Sequence, residues 1–256
     1  MRPLFIFLLF FLMFLSVPGR AIGPYQPGDT LYACAFHSLN LREKPAPGAR
    51  KIGALAYGAA VVALDSIRQR RFSVEETNGF SIHGYWSKVR CGQQEGWVFD
   101  GYLSKYPPLR QIKEDGNWTE SFVRYGTRTF GLRSQQRLAL DADTPTRDTQ
   151  NYRDVYRFKN GAVYEERHGS GDGGWVVHRV RMPGFSLEEC YLFFIYNAGY
   201  ARFDPRYRPE QAEELAKEPL VVEENSATRL RMEWGTCHYT FERRGKIIEA
   251  SWYCSC

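Results

Sequence analysis

Short runs of β-branched and aromatic residues, punctuated by glycine turns, constrain this 256-residue chain more than any other feature. Two Asn-Gly dipeptides sit between such runs. Phe72-Ser73-Val74 and Phe80-Ser81-Ile82 surround Asn78-Gly79, while residues 152–158 and 162–166 flank Asn160-Gly161. Asn-Gly favours a type I′ hairpin, because both central residues of that turn need positive φ. Residues 229–234, 236–241 and 246–253 predict a closing antiparallel meander, with Leu230, Met232 and Trp234 alternating onto one face. Helix is predicted in at most two places. Residues 209–217 place a proline in the first turn ahead of good helix formers. Ser186 and Glu189 match a capping box for a helix through Asn197, ended by Gly199, yet residues 191–196 are aromatic and β-branched enough for a strand. Periodicity leaves that segment open. No internal repeat or low-complexity tract is visible.

The amino terminus predicts export. Met1-Arg2 precedes an apolar run over residues 4–17, then Pro18-Gly19 and the small residue Ala21, the layout of a secretory signal over residues 1–21 with Ile22 as the mature start. The run is shorter than the ~20 residues of a spanning helix, so no stable membrane insertion is expected after cleavage. A periplasmic or secreted location follows. The formal charge of +5 falls to about +3 once Arg2 and Arg20 leave with the signal, too mild to argue for nucleic acid. Arg68, Arg70 and Arg71 form the dense basic spot and read as a solvated loop.

Cys34, Cys91, Cys190, Cys237, Cys254 and Cys256 predict three disulfides in an exported chain, with the connectivity open. The most economical assignment keeps each domain to itself and pairs Cys34 with Cys91. No zinc-like pair of CxxC knuckles is present, and His37, His83, His168 and His178 show no HxxxH or HExxH spacing. The sequence therefore predicts no metal site and no cofactor.

Leu39-Asn40-Leu41-Arg42-Glu43-Lys44-Pro45, then Ile52-Gly53, Leu55, Gly58 and Val61, then Tyr85-Trp86, Lys88-Val89, Gly96-Trp97-Val98 and Gly101-Tyr102-Leu103 follow one another in order. This stretch resembles the bacterial SH3-like (SH3b) domain. The resemblance implies a small barrel over residues 28–106 and an envelope partner such as a peptidoglycan peptide. Such barrels take extended peptides in aromatic grooves. Tyr32, Tyr85, Trp86 and Tyr102 are the candidate ligand-binding residues, with Trp86 and Trp97 also in the packing motifs. An unusually long connection departs from the family pattern and predicts an inserted hairpin over residues 66–84 that projects from the barrel. Tyr106-Pro107-Pro108-Leu109 reads as a stiff linker, leaving residues 110–256 as a second, disulfide-braced domain.

That second half has a weak similarity in residue order to NlpC-type cysteine peptidases, which would make Cys190 the nucleophile, His238 the base and Glu249 the group orienting it. The match departs at the nucleophile, where Glu189-Cys190-Tyr191-Leu192 replaces the small residues that expose a thiolate. Cys190 is expected to be a half-cystine. The fold class expected is mostly β, an SH3-like barrel followed by an antiparallel α+β domain with one or two short helices. The function expected is non-catalytic recognition of a cell-wall peptide or envelope protein. The alternatives are an inhibitor or immunity protein against a cell-wall or membrane-attacking enzyme, and an NlpC-like peptidase.

Overall fold

A computed structural model describes residues 25–77, 79–109, 118–140, 151–169, 175–195 and 220–254. The expected signal segment, the expected helix at 209–217 and Cys256 lie outside the described residues.

The first sheet is antiparallel and holds seven strands in the order β3-β2-β6-β5-β4-β1-β7. These are β1 (Thr30–Ala33), β2 (Leu39–Arg42), β3 (Lys51–Leu55), β4 (Ala60–Thr77), β5 (Phe80–Cys91), β6 (Gln94–Phe99) and β7 (Leu103–Ser104). The two-residue period of β2 turns Leu39 and Leu41 inward, where they meet Leu31, Val61, Val89 and Val98. Gly96 is required here, because a Cβ on it would stand 2.6 Å from Leu41 Cγ. Asp100 is buried under the barrel end, accepting hydrogen bonds from Tyr25 Oη at 2.7 Å and the Tyr85 backbone N–H at 2.6 Å. Burial pushes its carboxyl upward, and those two bonds oppose the shift.

The second sheet runs β12-β13-β14-β15-β11-β10-β9-β8, again antiparallel throughout. In chain order come α1 (Trp118–Phe130), β8 (Leu132–Ala139), β9 (Tyr152–Phe158), β10 (Val163–Gly169) and β11 (Trp175–Pro183). Then follow α2 (Leu187–Ile195), β12 (Val221–Asn225), β13 (Arg229–Trp234), β14 (Cys237–Arg244) and β15 (Ile247–Cys254). Each half is a helix followed by a four-stranded meander, and the last strands of the two halves, β11 and β15, lie side by side. The expected closing meander is present, with Leu230 and Met232 buried. The capping box decides the segment that periodicity left open. Ser186 Oγ accepts from the Glu189 N–H at 3.0 Å and Glu189 Oε2 accepts from the Ser186 N–H at 3.1 Å, so α2 is a helix.

Both helices pack on one face of this sheet. Phe122 of α1 meets Tyr164 and Phe158, and Phe194 of α2 meets Phe241 and Trp252. Gly126 allows the close approach of α1, since a Cβ there would lie 2.5 Å from the Phe158 ring. Each fully buried aromatic of this kind contributes about 1.5–3 kcal/mol.

Several sequence expectations need correction. The 66–84 insertion does form a hairpin, with residues 72–75 paired to 81–84, but it continues β4 and β5 instead of standing apart from them. Ile67 pairs with Trp86 and Phe72 with Gly84, so residues 68–71 of β4 face only Tyr85. A bulge of this kind bends the strand. The bent hairpin reaches the second sheet, where Phe80 meets Tyr191 at 4.6 Å and Asn225 Nδ2 donates to Gly79 O at 2.8 Å. The proline segment, expected as a linker, is strapped into the structure. Tyr106 stacks on Phe185 at 5.1 Å, Tyr57 Oη donates to Leu109 O at 3.0 Å, and Tyr125 Oη donates to Pro107 O at 2.7 Å. Phe80, Ile82, Phe99 and Leu109 thus join the core of the second domain.

Asn160-Gly161 does close a hairpin, but not of type I′. Gly161 has φ of +86°, whereas no non-glycine residue among those described has positive φ. Cys34 and Cys91 do not pair, and Cys190 is also free. The reason is partition between cores. The Cys34 side chain packs in the core of the second domain, and Cys91 packs against the core of the barrel. Among the described residues the disulfide is Cys237–Cys254, which joins directly opposed positions of β14 and β15.

Candidate functional site

A cavity of about 490 Å³ opens on the barrel. β4 brings Phe72, Val74 and Glu76 to it, with Glu76 at a register shift between Glu75 and Thr77. Trp86 of β5 and Tyr102 at the end of the 3-10 turn Asp100–Tyr102 complete the aromatic wall, and Phe36 and Asn40 line the other side. Phe72 stands edge-on to Trp86 at 5.9 Å between ring centres. Glu76 is only 6% exposed, and Tyr102 Oη donates to its Oε2 at 2.6 Å. The indole N–H of Trp86 is buried with no hydrogen-bond acceptor. The cavity therefore combines flat apolar contact with a buried carboxylate, the composition of a site for a small polar group on an apolar stem. Arg70 lies 5.2 Å over the Phe72 ring and Arg68 lies 5.4 Å over Tyr25, so two arginines of the basic spot brace aromatic rings.

Residues 37–104 match the family model of the bacterial SH3 domain. The chain carries that domain, and every side of the cavity except Ala35 and Phe36 belongs to it. The match ends at Ser104, so the eight-stranded sheet lies wholly outside it. No curated protein and no solved structure matches the chain.

Of the four ligand-binding residues expected from sequence, Trp86 and Tyr102 line the SH3-domain cavity, whereas Tyr32 and Tyr85 are not among its walls. Trp97, also in a packing motif, is half-buried and belongs to neither core. Phe72, Val74 and Glu76 were not legible as site residues. They come from the insertion beyond the bulge at 68–71, and Glu76 lies in a second register shift. The alternate spacing of Phe72 and Val74 was the available signal.

The three residues of the peptidase reading do not converge. Cys190 is fully buried on α2, on the helix-covered face of the second sheet, and burial pushes its thiol well upward. His238 alternates with the inward Tyr239 and so points from the opposite face, stacked on Tyr253 at 4.8 Å. Glu249 shares that outer face, held by Arg181 at 2.9 Å and Arg179 at 3.5 Å.

A second cleft of about 510 Å³ lies between α1 and strands β8 to β10. The sequence offered no metal spacing, but cross-strand pairing brings Asp154, Glu166 and His168 together with potential ligand atoms within 4.8 Å of one another. Arg137 already binds both Asp154 oxygens, at 2.8 and 2.7 Å, and its guanidinium lies 4.3 Å over the Tyr152 ring. That bond holds the Asp154 carboxyl below the usual carboxylate range, against the effect of burial. Of the three, Asp154 is paired with Arg137, while His168 lies 3.5 Å from Glu166.

Proposed function

We propose that this is an exported, non-catalytic binding protein whose bacterial SH3 domain takes a cell-envelope peptide in the 490 Å³ cavity by an amino group. The observation that carries this reading is the buried Glu76 carboxylate, aligned by Tyr102 within an aromatic wall. Phe72 and Trp86 offer ring faces to the alkyl stem of an amine, and the carboxylate offers a charge-assisted hydrogen bond to its ammonium head. Cell-wall peptides that carry a free side-chain amine supply both the stem and the head. No described helix is long and apolar enough to cross a membrane.

Calorimetric titration of soluble cell-wall peptides into the protein tests this, using one peptide with its side-chain amine free and one with it acetylated. The free amine should bind at least about tenfold more tightly, the worth of one charge-assisted bond. Equal affinity for the two would refute the role given to Glu76, and no binding of either would refute the envelope peptide itself.

A further inference from the structure

We propose that the face of the eight-stranded sheet opposite α1 and α2 is a docking surface for an acidic protein. Strand alternation divides the sheet into two faces, and both described helices pack on the face of Tyr164, Phe241 and Trp252. The exposed large apolar side chains of this sheet, Trp175, Val221, Ile247 and Tyr253, all project from the other one. Their places follow from register: Val177 pairs with Tyr253, Trp175 is two residues from Val177, Ile247 is six from Tyr253, and Val221 precedes the inward Val222. Of the four, Trp175 and Tyr253 lie on neighbouring strands around the Val177–Tyr253 pair and give this face its apolar patch.

The charge on this face identifies the occupant. Across β9, β10 and β11 it presents Arg153, Arg157, Arg167, Arg179 and Arg181 against two acids, Glu165 of β10 and Glu249 of the adjacent β15, which pairs with Arg179 and Arg181. Glu165 is itself only 5% exposed and pairs with Arg153 and Arg167. Burial acts to raise its carboxyl, yet the bond from Arg167 and the fields of Arg153 and Arg179 hold it below the usual range. Arg157 is exposed and has no ion pair among the described residues. The guanidinium excess suits carboxylates, which an arginine fork binds in two-pronged fashion. On β13, β14 and β15 the same face carries Glu233, Glu242 and Glu249 among its arginines, which would repel a continuous phosphate backbone and tolerates a protein of mixed surface.

Trp175 supplies a preset anchor. Its indole lies across Gly169 so closely that any Cβ at that position would collide with the ring. Trp, Tyr and Arg on a flat, rigid surface are the side chains that carry most of the energy at protein interfaces.

The test uses fluorescence anisotropy with a labelled random copolymer of glutamate and tyrosine as the acidic polypeptide probe. A single-stranded DNA oligonucleotide of similar charge serves as the competing polyanion. The intact protein should prefer the copolymer. The double variant Arg157→Glu, Trp175→Ala should lose at least tenfold in copolymer affinity while its cell-wall peptide titration is unchanged. Arg157→Lys with Trp175→Tyr should retain most of it, which separates lost contact from lost folding. Copolymer affinity unchanged in the double variant would overturn the proposal, as would DNA bound as tightly as the copolymer. Because the barrel has its own titration, failure of the sheet surface and failure of the peptide cavity give different results.

Discussion

The barrel and the eight-stranded sheet are both antiparallel, yet they treat their faces in opposite ways. The barrel closes a small core and leaves a concave, aromatic cavity at its edge. The sheet packs its described helices on one face and carries rows of arginine on the other. The barrel surrounds a core of its own and forms its cavity beside the bulge of residues 68–71, whereas the described helices cover the larger sheet along one face alone. The lesson is that the long β4–β5 hairpin belongs to both bodies: its walls form the cavity, and its tip, through Phe80, is buried in the larger core.

The sharpest way to break this comparison is to ask whether the two bodies unfold separately. Phe80→Ala removes a buried ring from the shared core and should cost about 3–5 kcal/mol. Urea unfolding followed by fluorescence and by far-ultraviolet dichroism should show one coincident transition in the parent protein, displaced to lower urea in the variant. Two steps, with only one of them displaced, would mean that the barrel and sheet are merely adjacent.

The disulfide should act on the sheet alone. Cys237 and Cys254 enclose a sequence separation of 17, and on the chain-entropy account the replacement of both by serine should remove about 3 kcal/mol. At room temperature the variant should still bind its cell-wall peptide with parental affinity by calorimetry. A fall in that affinity would show that the end of β14 and β15 shapes the cavity.

Acid should also distinguish the two regions. His178, on the helix-covered face, accepts or donates one hydrogen bond with Tyr164 Oη at 2.9 Å and stacks on Trp252 at 4.9 Å. Burial, with a smaller contribution from His168, pushes its imidazole down to about 4. Unfolded, the ring regains an ordinary value near ~6.5. Between those limits the unfolded chain holds more protons than the folded one, so stability rises with pH through that window and is lost as pH falls from about 6.5 toward 4. The loss should be about 2–3 kcal/mol. Urea midpoints at pH 7 and pH 4.5 measure it, and His178→Phe should show a flatter dependence. A variant as pH-sensitive as the parent would place the acid response elsewhere.

The barrel was legible in sequence because its motif residues answer local steric demands: Leu39 and Leu41 point inward, and Gly96 gives way to Leu41. The capping box at Ser186 and Glu189 was legible for the same reason. Helix α1 was not. Its sequence, WTESFVRYGTRTF, carries three threonines and a glycine, poor helix formers, and the helix is held by burial of Phe122, Tyr125 and Phe130. The repeated helix-and-meander plan of the second domain was equally hidden, since only the pairing of β11 with β15 reveals it. The cysteines misled because domain assignment along the chain does not show which core a side chain enters. The cavity was half legible: Trp86 and Tyr102 lie in family motifs, while Glu76 sits in a bulge of its own between Glu75 and Thr77, which the spacing of residues along the strand does not reveal.

Glu76→Gln gives the smallest expected effect and the finest distinction between the two surfaces. The substitution keeps the size of the side chain and an oxygen able to accept from Tyr102, but removes the charge. Loss of one charge-assisted bond should weaken a free-amine peptide by about tenfold, or ~1.4 kcal/mol. The acetylated peptide presents no ammonium, so its affinity should stay within about twofold of the parent value. Equal weakening of both peptides would mean that Glu76 shapes the wall without reading the amine, and the cavity would then select by aromatic contact alone. If copolymer binding at the sheet fell in the same variant, the two surfaces would be coupled through the shared hairpin, in which Glu76 lines the cavity and Phe80 packs on Tyr191.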